Sequence, residues 1–348
     1  MLPLSIPKSQ AREERFRTGP LRNHDETWNR PASPALAFIS PSDAPRPVAL
    51  WHLASLDAPT VAVVWSLSFA WMAHTHLPLW FEAALALSVW TIYVGDRLLD
   101  ARSAMRELHS YRLRARHYFH WRHRKMLVPM AIAAICSAAL LVLLFMPAAE
   151  QAQYAILTLV FLAYLARIHL RHRLRPFLDR VLSKELLVGV LFTIGCAVPT
   201  LRLLPSSPGI SGRAMLYTIA FFALLAWLNC SAINTWESQA ADRKDRVSAH
   251  ASGTTHSLRI ISPRRQVKTH SAFEWAILLA IIGLLSAAWM TAISMRAATL
   301  LLAGGFSAVL LACLDHLRNR LSAIALRAAA DLALLTPALF IAGMWTAR

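Results

Sequence analysis

The sequence predicts an all-α, polytopic membrane protein. Three observations carry that reading: 348 residues with 56% apolar content and a positive mean hydropathy, only 16% charged residues, and long apolar runs separated by basic loops. Runs of about 18 to 20 apolar residues match helices crossing a hydrocarbon core of about 30 Å. Strands are disfavoured, because an open sheet edge has no hydrogen-bond partners in lipid.

Residues 1–50 hold Pro, Ser and charge, with no apolar run long enough for a signal peptide, and are expected to form a flexible basic cytoplasmic tail. The transmembrane part is residues 51–348, with nine predicted helices near 56–74, 79–95, 127–147, 152–169, 186–201, 214–231, 273–292, 297–314 and 328–346. The second and fifth are short. Loop 96–126 follows the second span and loop 232–272 follows the sixth, and both are much longer than the other connections. Within them, 100–125 has the Arg, His, Tyr and Trp content of an interfacial helix, whereas 250–268 looks mobile.

Basic residues orient the chain. The stretch 96–125 carries nine Lys or Arg, 166–185 six, 232–271 seven and 315–327 three, and the N-terminal segment has seven. On the other side, 75–78 and 148–151 have none, 202–213 has Arg202 and Arg213, and 293–296 has Arg296. With nine spans, every rich loop falls on the side of the N-terminus, which the positive-inside rule makes cytoplasmic, as in a bacterial-type inner membrane. The net charge of +17 follows largely from this asymmetry. Basic residues beside helix ends suit anionic lipid, so the lipid bilayer is the expected partner and nucleic acid is not. Cys136, Cys196, Cys230 and Cys313 lie in or at the ends of spans without close pairing and read as reduced packing residues.

Against only 19 Asp plus Glu, two acidic clusters stand out. The first is Tyr93-Val-Gly-Asp96-Arg97-Leu-Leu-Asp100, which opens the first long loop. The second is Asn234-Thr-Trp-Glu237-Ser-Gln-Ala-Ala-Asp242-Arg243-Lys-Asp245, which opens the other. If helical, Asp96 and Asp100 share a face with Tyr93 one turn earlier. In the second cluster Asn234, Glu237, Ser238, Asp242 and Asp245 fall within an arc of about 140° at 100° per residue. Two one-sided sets of carboxylates at a helix-bundle mouth suit Mg²⁺, which takes a few carboxylates and completes its shell with water and phosphate oxygens. The alternative is a set of solvated ion pairs with the neighbouring Arg97, Arg102, Arg243, Lys244 and Arg246, each worth little.

Asp96-Arg-Leu-Leu-Asp100 resembles the second half of the first aspartate motif (Asn-Asp-x-x-Asp-x-x-x-Asp) of the UbiA-type intramembrane prenyltransferases, and Asp242-Arg-Lys resembles the end of their second motif. Lys184-Glu185 opening the fifth span, Gly195 and Pro199 closing it, and Asp331-Leu-Ala-Leu-Leu-Thr-Pro337 in the last span are similar to the family as well. The resemblance covers about 50–348. It departs at Ile92 and Tyr93, where the first motif has Asn and Asp, and at Ser238, where the second has Asp, with Glu237 one position off.

The resemblance implies a nine-helix UbiA-like bundle and Mg²⁺-dependent transfer of an isoprenyl group from a prenyl diphosphate donor to a lipophilic acceptor, such as a quinone precursor. It implies metal held by Asp96, Asp100, Asp242 and Asp245 or Glu237, with Arg97, Arg167, Lys184 and Arg243 on the diphosphate. Tyr93, Tyr164, Asn234 and Asp331 are further candidates. Tyr164 and Arg167 loosely match a Tyr-plus-basic motif of the fourth span, and Asp331 has Arg327 one turn earlier as an ordinary ion-pair partner. The missing motif residues leave open a catalytically silent member of the fold that binds lipid or a protein. His117, His120 and His123, spaced three apart, allow a di-iron reading, but the chain has no His-His pair. Transport is disfavoured because the charges gather at one face rather than at the midplane.

Overall fold

A computed structural model of the chain describes residues 46–106, 115–169, 184–203, 210–251 and 272–346, all within one compact unit spanning Ser40–Arg348. Twelve helices and no strand occur among the described residues. They are α1 (Arg46–Leu53), α2 (Asp57–Met72), α3 (Leu79–Arg106), α4 (Ala115–Arg122), α5 (Arg124–Phe145), α6 (Ala148–His169), α7 (Lys184–Leu203), α8 (Ile210–Ala251), α9 (Ala272–Met290), α10 (Met295–Leu317), α11 (Ala323–Ala333) and α12 (Thr336–Thr346). The segment expected as a tail lies mostly outside the described residues, and α1 begins inside it. The part of the second long loop beyond Ala251 lies outside them as well.

Each of the nine predicted spans coincides with a helix or a bent helix pair, but span count and helix count differ. Five helices are long and apolar enough to cross a bilayer: α5, α7, α9, α10 and the Gly212–Ala240 part of α8. The count reaches seven if α1 with α2, bent by 90°, and α11 with α12, bent by 43°, each make one span. α3 and α6 carry the predicted second and fourth spans as helices without meeting that standard. α3 holds Glu82, Asp96, Arg97 and Asp100, and α6 opens with Glu150, Gln151 and Gln153.

The core runs along α2, α8, α10 and α11. Trp65 of α2 stacks on Phe222 of α8 with ring centroids 3.9 Å apart, and Phe69 meets the same ring edge-on at 5.8 Å. Trp65 Nε1 donates to the Leu334 carbonyl at 2.9 Å, a backbone group freed by the break between α11 and α12. Thr336 at that break donates to the Ala303 carbonyl of α10 at 2.8 Å. Small residues let helices approach where burial from water no longer drives them together. A Cβ on Gly283 of α9 would lie 2.8 Å from Gly305 Cα of α10 and equally close to Phe221 Cζ, so this crossing admits hydrogen alone. Large side chains such as Ile132, Leu140 and Leu144 on α5 and Ile281, Leu285 and Trp289 on α9 stay exposed, as a lipid-facing surface requires.

The ends of the bundle differ. At one end, Arg202 pairs with Glu150 at 3.4 Å and Arg296 Nη1 donates to the Trp71 carbonyl, so two basic residues of the charge-poor side cap or bridge helix ends. The opposite end gathers the starts of α2, α7 and α11 and the exits of α3, α8 and α10, and there both acidic clusters sit.

Candidate functional site

The α1–α2 elbow is the nucleus of this polar end. Ser55 adopts φ 61°, a left-handed conformation that costs a non-glycine residue about 1–2 kcal/mol and persists only where the surroundings impose it. Its partners are visible. Arg97 Nη1 of α3 donates to Ser55 Oγ at 2.6 Å, and His120 Nε2 of α4 lies 3.0 Å from the same hydroxyl. Arg97 Nη1 also donates to the His52 carbonyl at 3.1 Å, which accepts the Ser55 amide as well, and Nη2 lies 3.4 Å from Asp57 Oδ2. Asp57 opens α2 and accepts from the Ala58 amide at 3.0 Å, the placement a helix dipole favours for a carboxylate.

A second carboxylate joins from α11. His52 Nδ1 lies 2.7 Å from Asp57 Oδ2 and 3.8 Å from Asp331 Oδ2. Asn229 of α8 donates to Asp331 Oδ1 at 3.1 Å. Asp57, Asp331, Asn229, Tyr93 and Cys230 line one cavity of about 30 Å³, room for about two waters. Asn229 Oδ1 is buried with no hydrogen-bond partner among the described residues, so the cavity offers an acceptor beside two carboxylates. One buried guanidinium, that of Arg97, serves this pair from the Asp57 side. Single atoms of His52, Asp57 and Asp331 do come within 4.8 Å of one another, close enough to share an ion. Their mixed nitrogen and oxygen set differs from the all-oxygen shell that Mg²⁺ prefers.

The residues singled out from sequence divide between this cavity and the surface. Tyr93, at the position where the family motif has its first aspartate, faces Asp57 and Asp331 across the cavity, with the Arg97 guanidinium 5.7 Å from its ring centroid. Arg97 is buried and engaged with the elbow. Asp96 and Asp100 are half-buried on α3, one turn apart, and Asp100 Oδ2 lies 3.9 Å from His117 Nε2 of α4. Two carboxylates on one helix face at the bundle exit fit a water-rich Mg²⁺, which needs only one or two of them. His117 and His120 serve different partners, Asp100 and Ser55, rather than one centre.

The second cluster lies on α8, which runs through it unbroken to Ala251. Asn234 donates to Glu185 Oε1 of α7 at 3.1 Å, and Glu237 Oε1 lies 2.8 Å from Arg327 Nε of α11, so both serve helix–helix contacts. Arg243 donates to Asn319 at 2.8 Å, and Lys184, the first residue of α7, is exposed. Asp242 and Asp245 are in α8, and Tyr164 and Arg167 in α6, but their side chains lie outside the described residues. The contacts at this end of the bundle fall into two sets. Arg97 touches Asp57, His52 bridges Asp57 and Asp331, and Arg327, one turn before Asp331, holds Glu237.

His52, Ser55, Asp57 and Asn229 carry no weight in the sequence reading, and His120 enters it only as a possible metal ligand. The signal for the first three is His-x-x-Ser-x-Asp at the mouth of the first apolar run, a polar set at an interface like the two acidic clusters. Comparison of this chain with family models, with curated proteins and with solved structures finds no match.

Proposed function

We propose that this chain is a nine-span membrane protein of the prenyltransferase type, acting on a prenyl diphosphate and a lipophilic acceptor at the cytoplasmic end of its bundle in a bacterial-type inner membrane. The supporting observation is that the acid-bearing exits of α3 and α8 lie at one end of the bundle, beside the buried network of Arg97, Asp57, His52 and Asp331. Asp96 and Asp100 offer hard oxygen ligands where α3 leaves the apolar core, the right place for a diphosphate whose tail enters the bundle. Mg²⁺ held there would neutralise the diphosphate and favour its departure. Lys184 is exposed at the start of α7, where its ammonium meets phosphate charge, and Arg243 lies at the exit of α8, held by Asn319. Arg97, by contrast, is committed to the elbow and acts as a positioning residue. Asp57 and Asp331 bring to the Tyr93 cavity the carboxylates that the first motif lacks.

A second reading, a silent member of this architecture that binds lipid, is favoured by one observation: Asn234 and Glu237 are spent on structural contacts. Diphosphate release separates the two. Purified protein in bilayers is supplied with prenyl diphosphates of several chain lengths, with and without quinone precursors and Mg²⁺. Mg²⁺-dependent release that disappears in Asp96→Ala supports transfer. A folded protein that binds the donors without releasing diphosphate establishes the silent reading.

A further inference from the structure

A second cavity, distinct in its lining from the Tyr93 site, lies between the exit of α8 and the turn joining α10 to α11. Its volume is about 80 Å³, and Arg243, Arg318, Asn319, Arg327, Trp236 and Glu237 supply its polar walls. By the same measure this is room for several waters, and so for one tetrahedral anion in their place.

The charge balance is unusual. Arg327 Nε lies 2.8 Å from Glu237 Oε1, and its Nη1 is buried with no hydrogen-bond partner among the described residues. A buried N–H donor without an acceptor is a group that a bound anion would satisfy. Arg318 is held by Asp315 at 2.8 Å, and Asp315 is itself fixed by the Trp236 indole N–H, so that guanidinium is anchored at the rim. Arg243 is steadied by Asn319 at 2.8 Å. Three guanidinium groups thus face one cavity with Glu237 as the single acid in its lining. The start of α11 borders the same space through Ala323, with Leu321 just before it, adding the positive end of a helix dipole; the Ala325 amide is capped by Ser322 Oγ.

We infer that this cavity is a binding site for a phosphate group, held by Arg243, Arg318, Arg327 and the N-terminus of α11. Guanidinium forks match phosphate oxygens in geometry as well as charge. The group belongs either to an anionic phospholipid at the membrane surface or to a free phosphate or diphosphate. The inference stands whether or not the chain transfers a prenyl group, since it shares only Arg243 with the residues expected on the prenyl diphosphate and uses none of Tyr93, Asp96, Asp100, Asp57 or Asp331.

Two arms tell the sources apart, both on the full chain. Native mass spectrometry from phosphatidylcholine nanodiscs doped with phosphatidic acid reads the lipid arm, and calorimetry with inorganic phosphate and with diphosphate reads the soluble arm. Retention of phosphatidic acid over phosphatidylcholine assigns the lipid source; a calorimetric isotherm assigns the soluble one. In either case Arg327→Gln weakens binding about tenfold or more, as loss of a charge-assisted bond to phosphate requires. Arg243→Gln, at an exposed residue whose loss leaves the fold intact, weakens it in the same direction and decides the matter if Arg327→Gln does not fold. The inference is overturned if neither ligand binds, or if binding is unchanged in Arg243→Gln and in folded Arg327→Gln.

Discussion

Arg97→Ala isolates the elbow on which the polar end is built. Arg97 is 5% exposed and meets three acceptors: the His52 carbonyl at 3.1 Å, Ser55 Oγ at 2.6 Å and Asp57 Oδ2 at 3.4 Å. Truncation strands the Asp57 carboxylate, whose side chain is 2% exposed, with the His52 ring as its remaining side-chain neighbour, and removes one of the two donors on the His52 carbonyl. Breaking a buried pair from one side costs about 3–5 kcal/mol, far above the roughly 0–1 kcal/mol of a solvated pair. The Asp57 contact is long, so part of the loss comes from the two shorter bonds, each worth about 1.5–3 kcal/mol for a charged donor. Unfolding by steric trapping in bicelles measures the change. A double-mutant cycle with Asp57→Asn then reports a coupling of about 0.5–3 kcal/mol between the two sites. A cost for Arg97→Ala below about 1 kcal/mol, or strict additivity with Asp57→Asn, would refute the view that this network is buried and cooperative.

Three other perturbations follow from the same geometry. Ser55→Ala removes the hydroxyl shared by Arg97 and His120 and keeps φ 61°, whereas Ser55→Gly removes the hydroxyl but relieves the backbone, so the glycine variant is more stable than the alanine one by about 1 kcal/mol in a paired melt. Gly283→Ala pushes a methyl against Gly305 and Phe221 and destabilises by about 1–3 kcal/mol, while Gly195→Ala, with nothing within 4 Å, moves stability by no more than about 1 kcal/mol and in favour of alanine. Cys136, exposed on apolar α5, is unreactive toward a water-soluble maleimide in intact bilayers and labels after detergent extraction, whereas buried Cys196 needs unfolding as well; labelling of Cys136 from water in bilayers would contradict a lipid-facing α5.

The sequence made the helices legible because the apolar runs are long and the charges fall between them. It also gave the shared face of Asp96 and Asp100 on the condition of a helix, since 3.6-residue phase is a local property, and α3 and α8 supply that helix where the sequence reading opened two loops. What it hid was non-local. Nothing near Arg97 says that it reaches 45 residues back to the His52 carbonyl, nor that Asn234 turns to Glu185 rather than to a shared cavity. The broken first and last spans were hidden for a related reason. Ser55 and Leu334 sit inside or beside continuous apolar stretches, and their breaks are held by Arg97 and by the Trp65 indole, both from other helices. The pairing of Arg327 with Glu237 was likewise out of reach, because Asp331, one turn away, is the nearer acid in sequence.

The central claim is that Asp96 and Asp100 hold Mg²⁺ together with a diphosphate. The most direct measurement is a calorimetric titration of the full chain in nanodiscs with a non-hydrolysable prenyl thiolodiphosphate, with and without Mg²⁺. The account predicts that ligand and metal tighten each other's binding reciprocally, and that this coupling vanishes in Asp96→Ala and Asp100→Ala. Binding of the analogue that is indifferent to Mg²⁺, or coupling that survives both substitutions, would contradict it.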